Sequence, residues 1–255
     1  FLGSAIVRQL IAAGDRVRTF QRTAAPELEE LGVECVRGDI ADPVAVGRAA
    51  KGCDIVFHVA AKAGIWGKSA DFQRANVTGT ENVVAACRSH GIGKLVYTSS
   101  PSVVFDGHEE NGIDESAPYP SRYLTHYPRT KAQAEQIVIA ANGPTLATVS
   151  LRPHLIWGPG DHHLFPRLVE SAKRGRLRRV GHGKNPVDTT YVDNAADAHL
   201  LAARQLSIGS PVAGRTYFIS NGEPIPLWDM IARLLVCAGQ PPIARSISAN
   251  SAYLI

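Results

Sequence analysis

Tyr127 and Lys131 are the residues whose types and spacing most directly indicate chemistry. They stand four positions apart, so on a helix both side chains lie on one face. A phenol has a pKa of about 10 and is a poor acid or base near neutral pH. A cation held beside it favours the phenolate and lowers this pKa. The pair therefore predicts an acid/base centre, provided that the helix begins close to Pro128, which disfavours helical geometry in the residue before it.

A strand end that carries hydroxyl groups precedes this pair. The run 94–100 is predicted to be a strand, and it ends in Thr98, Ser99 and Ser100. A hydroxyl at the carboxyl end of such a strand can donate a hydrogen bond to a substrate carbonyl or alkoxide. Tyr127 would protonate or deprotonate that same oxygen. The combination predicts proton transfer at an alcohol or a ketone.

The first half of the chain alternates between segments that can position these residues. Nearly continuous apolar runs are typical of strands covered on both faces, as in parallel sheets. The predicted strands are 15–20, 33–39, 54–60, 94–100 and 146–151, and the predicted helices are 4–13, 43–51, 72–89 and 127–141. The predicted fold class is therefore α/β, a doubly wound parallel sheet of the Rossmann type.

After residue 158 the pattern changes, and we expect a smaller, interrupted substrate lobe. The predicted helices there are 164–176, 195–205 and 227–238, and the predicted strands are 187–192 and 216–219. The predicted domains are thus 1–158, which binds the dinucleotide, and 159–255, which mainly binds substrate and contains interleaved Rossmann elements. The segment 101–120, rich in glycine, proline and acidic residues, is predicted to be a loop bordering the site.

The ends of the chain lack elements that this fold needs. A doubly wound sheet has its first strand in the middle, followed by a glycine turn that admits a pyrophosphate. The sequence opens instead on Phe1-Leu2-Gly3 and a helix, and it stops at Ile255 without a closing element. We expect a natural protein that extends beyond both ends. In this span the strands near Val17 and Val56 should not pair, because the missing first strand would lie between them. Gly3 should lie beside the gap that this strand leaves.

Composition limits the remaining function classes. With 255 residues, a formal charge of +4 and 45% hydrophobic residues, the chain is an ordinary globular protein. No apolar run approaches the ~18 residues of a membrane span, so no stable membrane insertion is predicted. Scattered cysteines, taken as small buried side chains, favour a reducing, cytoplasmic location.

The basic run 173–179 is interpreted as a solvated helix end, so no nucleic acid partner is predicted. His162 and His163 lack companions for a metal site, so no metal is predicted.

Six motifs in order resemble the extended short-chain dehydrogenase/reductases, whose catalytic set is Ser/Thr, Tyr and Lys. They are the segments 1–3, 38–40, 58–61, 76–80 and 152–160, together with the hydroxyl-bearing strand end that precedes Tyr127 and Lys131. The resemblance identifies Tyr127 as the acid/base, Lys131 as its partner and Ser100 as the substrate-orienting hydroxyl, with Ser99 and Ser102 as rivals. It also implies cofactor contacts, of which the glycine-fingerprint tail is the first. The implied cofactor-binding residues are Phe1, Leu2, Gly3, Gln21, Arg22, Asp39, Ile40, Ala60, Ala61, Lys62, Asn76, Thr98, Tyr127, Lys131, Pro153 and Ile156.

Within that superfamily, the motifs are most similar to those of the 3β-hydroxysteroid dehydrogenase-like branch. Segments 60–67, 97–107 and 187–194 resemble bacterial sterol dehydrogenases and equally 2-alkyl-3-oxoalkanoate reductases of olefin biosynthesis. The resemblance implies an NAD(P)-dependent alcohol/ketone interconversion on a large apolar or lipid-like substrate, and it allows a homodimer. The predicted substrate-binding residues are Trp66, Ser102, His154 and Trp157, although either tryptophan would also suit a core. Asp193 and Asn194 are predicted to cap a helix starting at Ala195.

The end of the second predicted strand bears on the choice of cofactor. An enzyme that uses NAD usually presents Asp or Glu there to the ribose hydroxyls. Here Gln21 stands in that place and Arg22 follows, able to pair with a 2′-phosphate. NADP(H) is therefore favoured, with NAD(H) as the alternative.

Two other functions remain open from the sequence. A nucleotide-sugar epimerase or dehydratase uses the same triad, and the basic run 173–179 could contact its diphosphate. A non-catalytic NAD(P)-sensing protein is the second, although it would be expected to have lost the Tyr127 and Lys131 pair.

Overall fold

The computed structural model describes residues 1–162, 164–241, 243 and 245–248, so the predicted non-ligand His163 lies outside the described part. The chain divides into two compact units. The first comprises Leu2–Pro153 and Ala195–Ile219. The second comprises Phe1, His154–Asn194 and the described residues from Ser220 onward.

Helices and short strands alternate along the described residues. The strands are β1 (Arg18–Gln21), β2 (Glu34–Arg37), β3 (Ile55–His58), β4 (Lys94–Thr98), β5 (Ala147–Pro153), β6 (Ile156–Trp157), β7 (Arg179–Val180), β8 (Pro186–Val187), β9 (Thr190–Tyr191), β10 (Arg215–Ile219), β11 (Ile225–Pro226) and β12 (Ser246–Ile247). The α-helices are α1 (Leu2–Ala12), α2 (Pro26–Glu29), α3 (Pro43–Ala50), α4 (Ser69–Phe72), α5 (Gly79–Ser89), α6 (His126–Ala141), α7 (Leu164–Lys173), α8 (Val192–Gln205) and α9 (Leu227–Cys237).

Parallel strands form the centre of the first unit. Four of them pair in the order β10-β5-β4-β3, and β1 pairs separately with β2. The predicted α/β class with a parallel sheet is confirmed. As expected, β1 and β3 do not pair, and among the described residues no strand pairs with both. Gly3 lies in the first turn of α1, near the Val59 side chain that follows β3.

Strand β4 is buried on both faces, which explains its apolar sequence. Leu95 and Tyr97 pack with the residues of α3, α5 and α6, whereas Val96 packs on the opposite face with Val149 and Leu206. Successive side chains of a strand point to opposite faces. Thr98, the last residue of β4, therefore has its side chain on the face that α8 covers, and its hydrogen bond to His199 of α8 agrees with this.

The predicted helix 72–89 is interrupted. The structure has the short helix α4, then a π-helical segment from Gln73 to Thr78, and then α5. A π-turn accommodates an extra residue, and such segments are frequent at functional sites. Gly79 follows the π-helix at a close approach, because a Cβ there would lie 2.7 Å from Ile40. The periodicity of the sequence did not indicate this interruption.

The second unit contains three two-stranded pairings: β6 with β9, β8 with β11 and β7 with β12. The single strand predicted at 187–192 is divided between β8 and β9. Helix α8 begins at Val192, so the predicted cap by Asp193 and Asn194 is wrong. Both residues lie inside the first turn of α8, and the Asn194 amide donates to Asn221 at 3.3 Å.

The four cysteines are free thiols. Only Cys87 is fully buried, whereas Cys237 is exposed and the other two are half-buried, so their interpretation as buried side chains was too broad. Among the described residues, no helix is both long and apolar enough to cross a membrane.

Candidate active site

The carboxyl end of β4 and the first turns of α6 hold the predicted acid/base residues. Helix α6 begins at His126, so Pro128 occupies the third helical position. The first four N–H groups of a helix have no partner within it, and the N–H that proline lacks costs nothing there. The proline therefore marks the helix start that the motif required.

Ser100 shares a hydrogen bond with the hydroxyl of Ser102 and acts on that of Tyr127. Its Oγ lies 2.8 Å from Ser102 Oγ and accepts the Ser102 backbone N–H at 3.2 Å. Its side chain also counteracts the rise in the pKa of Tyr127, as a neighbouring hydroxyl does. Ser99 differs, since its buried hydroxyl has no hydrogen-bond partner among the described residues. The geometry thus groups Ser100 and Ser102 with Tyr127 and leaves Ser99 apart.

The predicted lowering of the Tyr127 pKa is not what the structure shows. Burial raises the pKa of Tyr127, and its hydrogen bond with Ser100 opposes that rise. Lys131 is directed elsewhere: its Nζ donates to the Thr98 carbonyl at 2.6 Å and lies 4.2 Å from the centre of the Tyr97 ring. The phenol in this arrangement holds its proton at neutral pH.

Lys131 is almost completely enclosed, with 2% of its surface exposed. This burial lowers the pKa of Lys131 to about 7, and the charge of Glu135, one helical turn away, opposes the shift. The cation–π contact with Tyr97 and the bond to the Thr98 carbonyl compensate part of the cost of burying an ammonium group.

Glu135 belongs to a buried ion pair that joins α6 to β5. Arg152 donates from Nη2 and Nε to the two carboxylate oxygens at 2.6 and 3.0 Å, and Tyr119 donates to the same carboxylate at 2.6 Å. Both charged side chains are at most 3% exposed. This two-point contact fixes the helix that carries Tyr127 and Lys131 against the sheet.

Asn76, in the π-helix, connects the segment after β3 to the catalytic helix. Its amide oxygen accepts the Lys62 backbone N–H at 2.7 Å, and its amide nitrogen donates to the Lys62 carbonyl at 3.1 Å and to Thr130 Oγ1 at 3.0 Å. The buried Asn76 therefore holds backbone on one side and α6 on the other. The predicted cofactor contacts Ala60 and Ala61 lie in the segment just before Lys62 and are exposed.

The residues at this edge of the first unit fit a dinucleotide. Gly3 lies in the first turn of α1, whose unpaired N–H groups suit a phosphate, and a Cβ added at this position would meet only the Val59 side chain, at 4.0 Å. The Gln21 amide nitrogen at the end of β1 is buried with no partner among the described residues. A donor without a partner at the end of β1, and the N–H groups of the first turn of α1, match the polar groups of a ribose and a pyrophosphate.

The adenine end of the predicted cofactor site carries charge. Asp39 accepts the Ala41 N–H at 2.9 Å and pairs with Arg74 at 2.7 Å. The hydrogen bond from Arg74 is the main reason that the pKa of Asp39 is lowered. Arg22 is exposed, and Arg37 lies opposite Gln21 in the β1–β2 register. Ile40 packs against Gly79.

Four predicted residues lie in the second unit. Trp157 of β6 packs edge-on against Tyr191 at 5.2 Å between ring centres. Ile156 pairs with Thr190, and Phe1 lies beside Gly160. Burial lowers the pKa of His154, and the charge of Asp188 opposes the shift.

Three predicted residues of the first unit complete the set. Leu2 is buried in α1, and Pro153 is buried at the end of β5. Trp66 is 89% exposed, so the alternative that it belongs to a core is wrong.

The comparisons with known proteins agree with these features. The profile of the 3-beta hydroxysteroid dehydrogenase/isomerase family matches residues 1–245. A 2-alkyl-3-oxoalkanoate reductase of Stenotrophomonas maltophilia (strain K279a) is 53% identical over all of this chain and 78% of its own length. The human sterol-4-alpha-carboxylate 3-dehydrogenase, decarboxylating, is 38% identical over 92% of this chain and 63% of its own length.

This chain belongs to the 3-beta hydroxysteroid dehydrogenase/isomerase family. Solved structures show the fold in related enzymes. MoeE5 in complex with UDP-glucose and NAD superposes with a TM-score of 0.80 at 25% identity, over 98% of this chain and 82% of that one. The UDP-glucose 4-epimerase of Thermus thermophilus in complex with NAD gives a TM-score of 0.76 at 26% identity, over 97% of this chain and 82% of that one.

Two buried residues of this family member, Glu135 and His199, escaped sequence reasoning, and His58 entered it only as part of the strand-end motif 58–61. His58 Nε2 lies 2.8 Å from Thr80 Oγ1, and His199 Nε2 lies 2.7 Å from Thr98 Oγ1. Burial lowers the pKa of His58 to about 3 and that of His199 to about 4. No local pattern marks these residues, because each partner lies in a different element.

Proposed function

We propose that this protein is a nicotinamide-dependent oxidoreductase that interconverts a secondary alcohol and a ketone on a large apolar substrate. The observation that carries the proposal is the hydrogen-bonded pair of Ser100 and Ser102 at the end of β4, next to Tyr127 and the buried Lys131 of α6. The alternative of a non-catalytic sensor has no support, because the complete acid/base set is retained.

The roles of the residues follow from their contacts. When bound, the reduced nicotinamide supplies a hydride for the carbonyl carbon. Tyr127 donates its phenolic proton to the carbonyl oxygen, and Ser100 orients that oxygen by donating a hydrogen bond. A ketone thereby gains one hydride and one proton and becomes a secondary alcohol. The raised pKa of Tyr127 keeps the proton on the phenol, which suits the direction of reduction.

We propose a 2-alkyl-3-oxoalkanoate as the ketone. The support is the relative of that name, which shares 53% identity along the whole chain, against 38% for the human sterol dehydrogenase. The nucleotide-sugar alternative draws on structures that share only 25% and 26% of their residues with this chain. Sterol and nucleotide-sugar substrates are therefore the comparison arms of the test.

We propose NADP(H) as the preferred cofactor. Gln21 stands at the position where an acidic side chain would repel a 2′-phosphate. The exposed Arg22 follows it, and Arg37 lies opposite Gln21 in the β1–β2 pair. The cationic side chains of Arg22 and Arg37 favour an additional phosphate over a second hydroxyl group, whereas the charge of Arg74 is paired with Asp39.

A cytoplasmic homodimer is the state that we propose for the protein. The free cysteines suit a reducing compartment. A groove lined by Gln73, Val77, Gln133, Gln136, Ile137 and Ala140, on the π-helix and α6, offers a surface to a second copy. Light scattering should give twice the mass of the chain, and a monomer at every concentration would contradict the dimer.

The test follows the absorbance of reduced nicotinamide. The purified protein is incubated with NADPH or NADH and a synthetic 2-alkyl-3-oxoalkanoate, in parallel with a 3-hydroxy-4-carboxysterol plus oxidised cofactor, and with UDP-glucose. We expect turnover of the oxoalkanoate and its loss in Tyr127→Phe. Because an epimerase returns the hydride and leaves the nicotinamide absorbance unchanged, conversion of UDP-glucose is followed by chromatography of the products. Conversion confined to UDP-glucose, or full activity in Tyr127→Phe, would overturn the proposal.

A further inference from the structure

His199 of α8 lies behind β4 in a defined tautomeric state. It is fully buried, with Nδ1 2.6 Å from the Ala195 carbonyl and Nε2 2.7 Å from Thr98 Oγ1. A carbonyl oxygen only accepts, so Nδ1 carries the hydrogen and Nε2 is left as an acceptor. The Thr98 hydroxyl therefore donates to His199.

Thr98 is held both through its side chain and through its backbone carbonyl. Its side chain is bound by His199, and its backbone carbonyl accepts the Lys131 ammonium at 2.6 Å. Strand β3 pairs with β4 only as far as Tyr97, so that edge of Thr98 has no ladder partner and its carbonyl is available to Lys131. The same peptide group is also held on its other side, because the Ser99 N–H donates to the Leu151 carbonyl at 2.6 Å. The Thr98 side chain therefore adds a second anchor to this peptide group.

We propose that His199 is a positioning residue for the acid/base centre. Through the hydroxyl of Thr98 it fixes the carbonyl that directs the ammonium group of Lys131. This role rests on the proposed oxidoreductase function, in which Lys131 belongs to the catalytic set. His199 reaches Lys131 only through Thr98, and all three groups are buried.

Two substitutions separate the two bonds of His199. In His199→Gln, the longer amide can reach Thr98 with its oxygen and keep the acceptor. In His199→Asn, the shorter amide can donate to the Ala195 carbonyl but falls short of Thr98. A merely structural histidine would respond to both changes through stability alone. A positioning histidine loses function in the asparagine variant and recovers it in the glutamine variant.

The assay measures kcat for a 2-alkyl-3-oxoalkanoate, the dissociation constant of NADPH by fluorescence titration, and the unfolding midpoint. We expect His199→Asn to lower kcat by about 10- to 100-fold and to weaken NADPH binding, because Lys131 loses its orientation. His199→Gln should stay within a few-fold of the wild type. The exposed His90→Asn at the end of α5 is the matched control and should change neither quantity.

A coupling measurement tests the route through Thr98. Thr98→Val removes the hydroxyl and retains the backbone carbonyl. If His199 acts through that hydroxyl, Thr98→Val combined with His199→Asn should be no slower than the worse single variant. Losses that multiply would overturn the proposal, as would His199→Asn with wild-type kcat and NADPH affinity.

The outcomes distinguish this proposal from the proposed function. Full activity in Tyr127→Phe would refute the function, whereas an inactive Tyr127→Phe with an unaffected His199→Asn would refute only the positioning role. If His199→Asn does not fold, nitrogen NMR of the unsubstituted protein decides. A protonated Nδ1 and an unprotonated Nε2 at neutral pH are expected, and the opposite tautomer or a charged ring would overturn the proposal.

Discussion

At the scale of single residues, the central feature is the group of three hydroxyls formed by Ser100, Ser102 and Tyr127. Ser100 accepts the Ser102 backbone N–H and shares a hydrogen bond with its hydroxyl, and its side chain counteracts the rise in the pKa of Tyr127. A hydroxyl in this position can donate a hydrogen bond to the substrate oxygen while its neighbour keeps it oriented. We therefore expect Ser100 to contact the substrate oxygen and Ser102 to support it.

Removing each hydroxyl should separate these roles. Ser100→Ala should lower kcat by about 100-fold, the size of effect seen when one donor to a developing oxyanion is lost. Ser102→Ala should lower it less, because Ser100 keeps its own hydroxyl next to Tyr127. Steady-state kinetics with a 2-alkyl-3-oxoalkanoate measure both. A larger loss in Ser102→Ala would identify Ser102 as the catalytic hydroxyl.

The exposed arginine at the end of β1 gives a prediction about the cofactor. Arg22→Ala should raise the KM for NADPH by about tenfold, in keeping with a lost charge-assisted contact, and should leave the KM for NADH unchanged. Arg16→Ala, another exposed arginine ahead of β1, is the control. Equal kcat/KM for the two cofactors in the unsubstituted protein would contradict the preference for NADP(H).

At the scale of elements, α6 depends on a buried charge for its position. Glu135 lies one turn after Lys131 and is bound by Arg152 of β5 at two points. Burying both charges costs hydration free energy, so the intact pair adds little to the free energy of unfolding. Removing one partner is costly, because it leaves the other charge buried without a partner. The pair therefore fixes the position of α6 relative to β5.

Substitution of one partner should be costly. Arg152→Met should lower the free energy of unfolding by about 3–5 kcal/mol, measured by urea denaturation. Arg152→Met combined with Glu135→Leu should recover much of this loss. Arg174→Met breaks the exposed pair with Glu170 and should change little. Equal effects of the two arginine variants would contradict the importance of the buried pair.

At the scale of the whole molecule, two buried neutral histidines link stability to pH. Burial lowers the pKa of His58 from 6.5 to about 3 and that of His199 to about 4. Below pH 6.5, the ordinary histidine pKa, the unfolded chain binds protons that the folded protein excludes. The contribution of the neutral rings to stability is therefore fully present above that pH and is lost as the pH falls towards the two lowered values.

The free energy of unfolding should fall steeply in this range. Two excluded protons contribute a slope of about 2.7 kcal/mol per pH unit at most. Denaturation between about pH 7 and about pH 5 should show a shallower slope in His199→Gln, which removes one of the two protons. The exposed His90→Gln should keep the original slope. An unchanged slope in His199→Gln would show that His199 is not excluded from protonation.

The sequence by itself determined the parallel α/β class, the helix that carries Tyr127 and Lys131, and the family. Local sequence patterns predict these features. Apolar runs long enough for buried strands indicate the sheet, and the four-residue spacing with a proline at the helix start indicates the helix of Tyr127 and Lys131. Ser100 was also favoured from the sequence, and the structure supports that choice over Ser99, because Ser100 is hydrogen-bonded to Ser102 and acts on the pKa of Tyr127.

Only the tertiary structure decided the electrostatics and the support of the site. The pKa of Tyr127 is raised because the folded chain buries the phenol, and Lys131 bonds to Thr98 instead of lowering that pKa. The bond of Thr98 to His199 spans elements far apart in the chain. Burial and long-range hydrogen bonds depend on packing, and no local spacing of residue types encodes them.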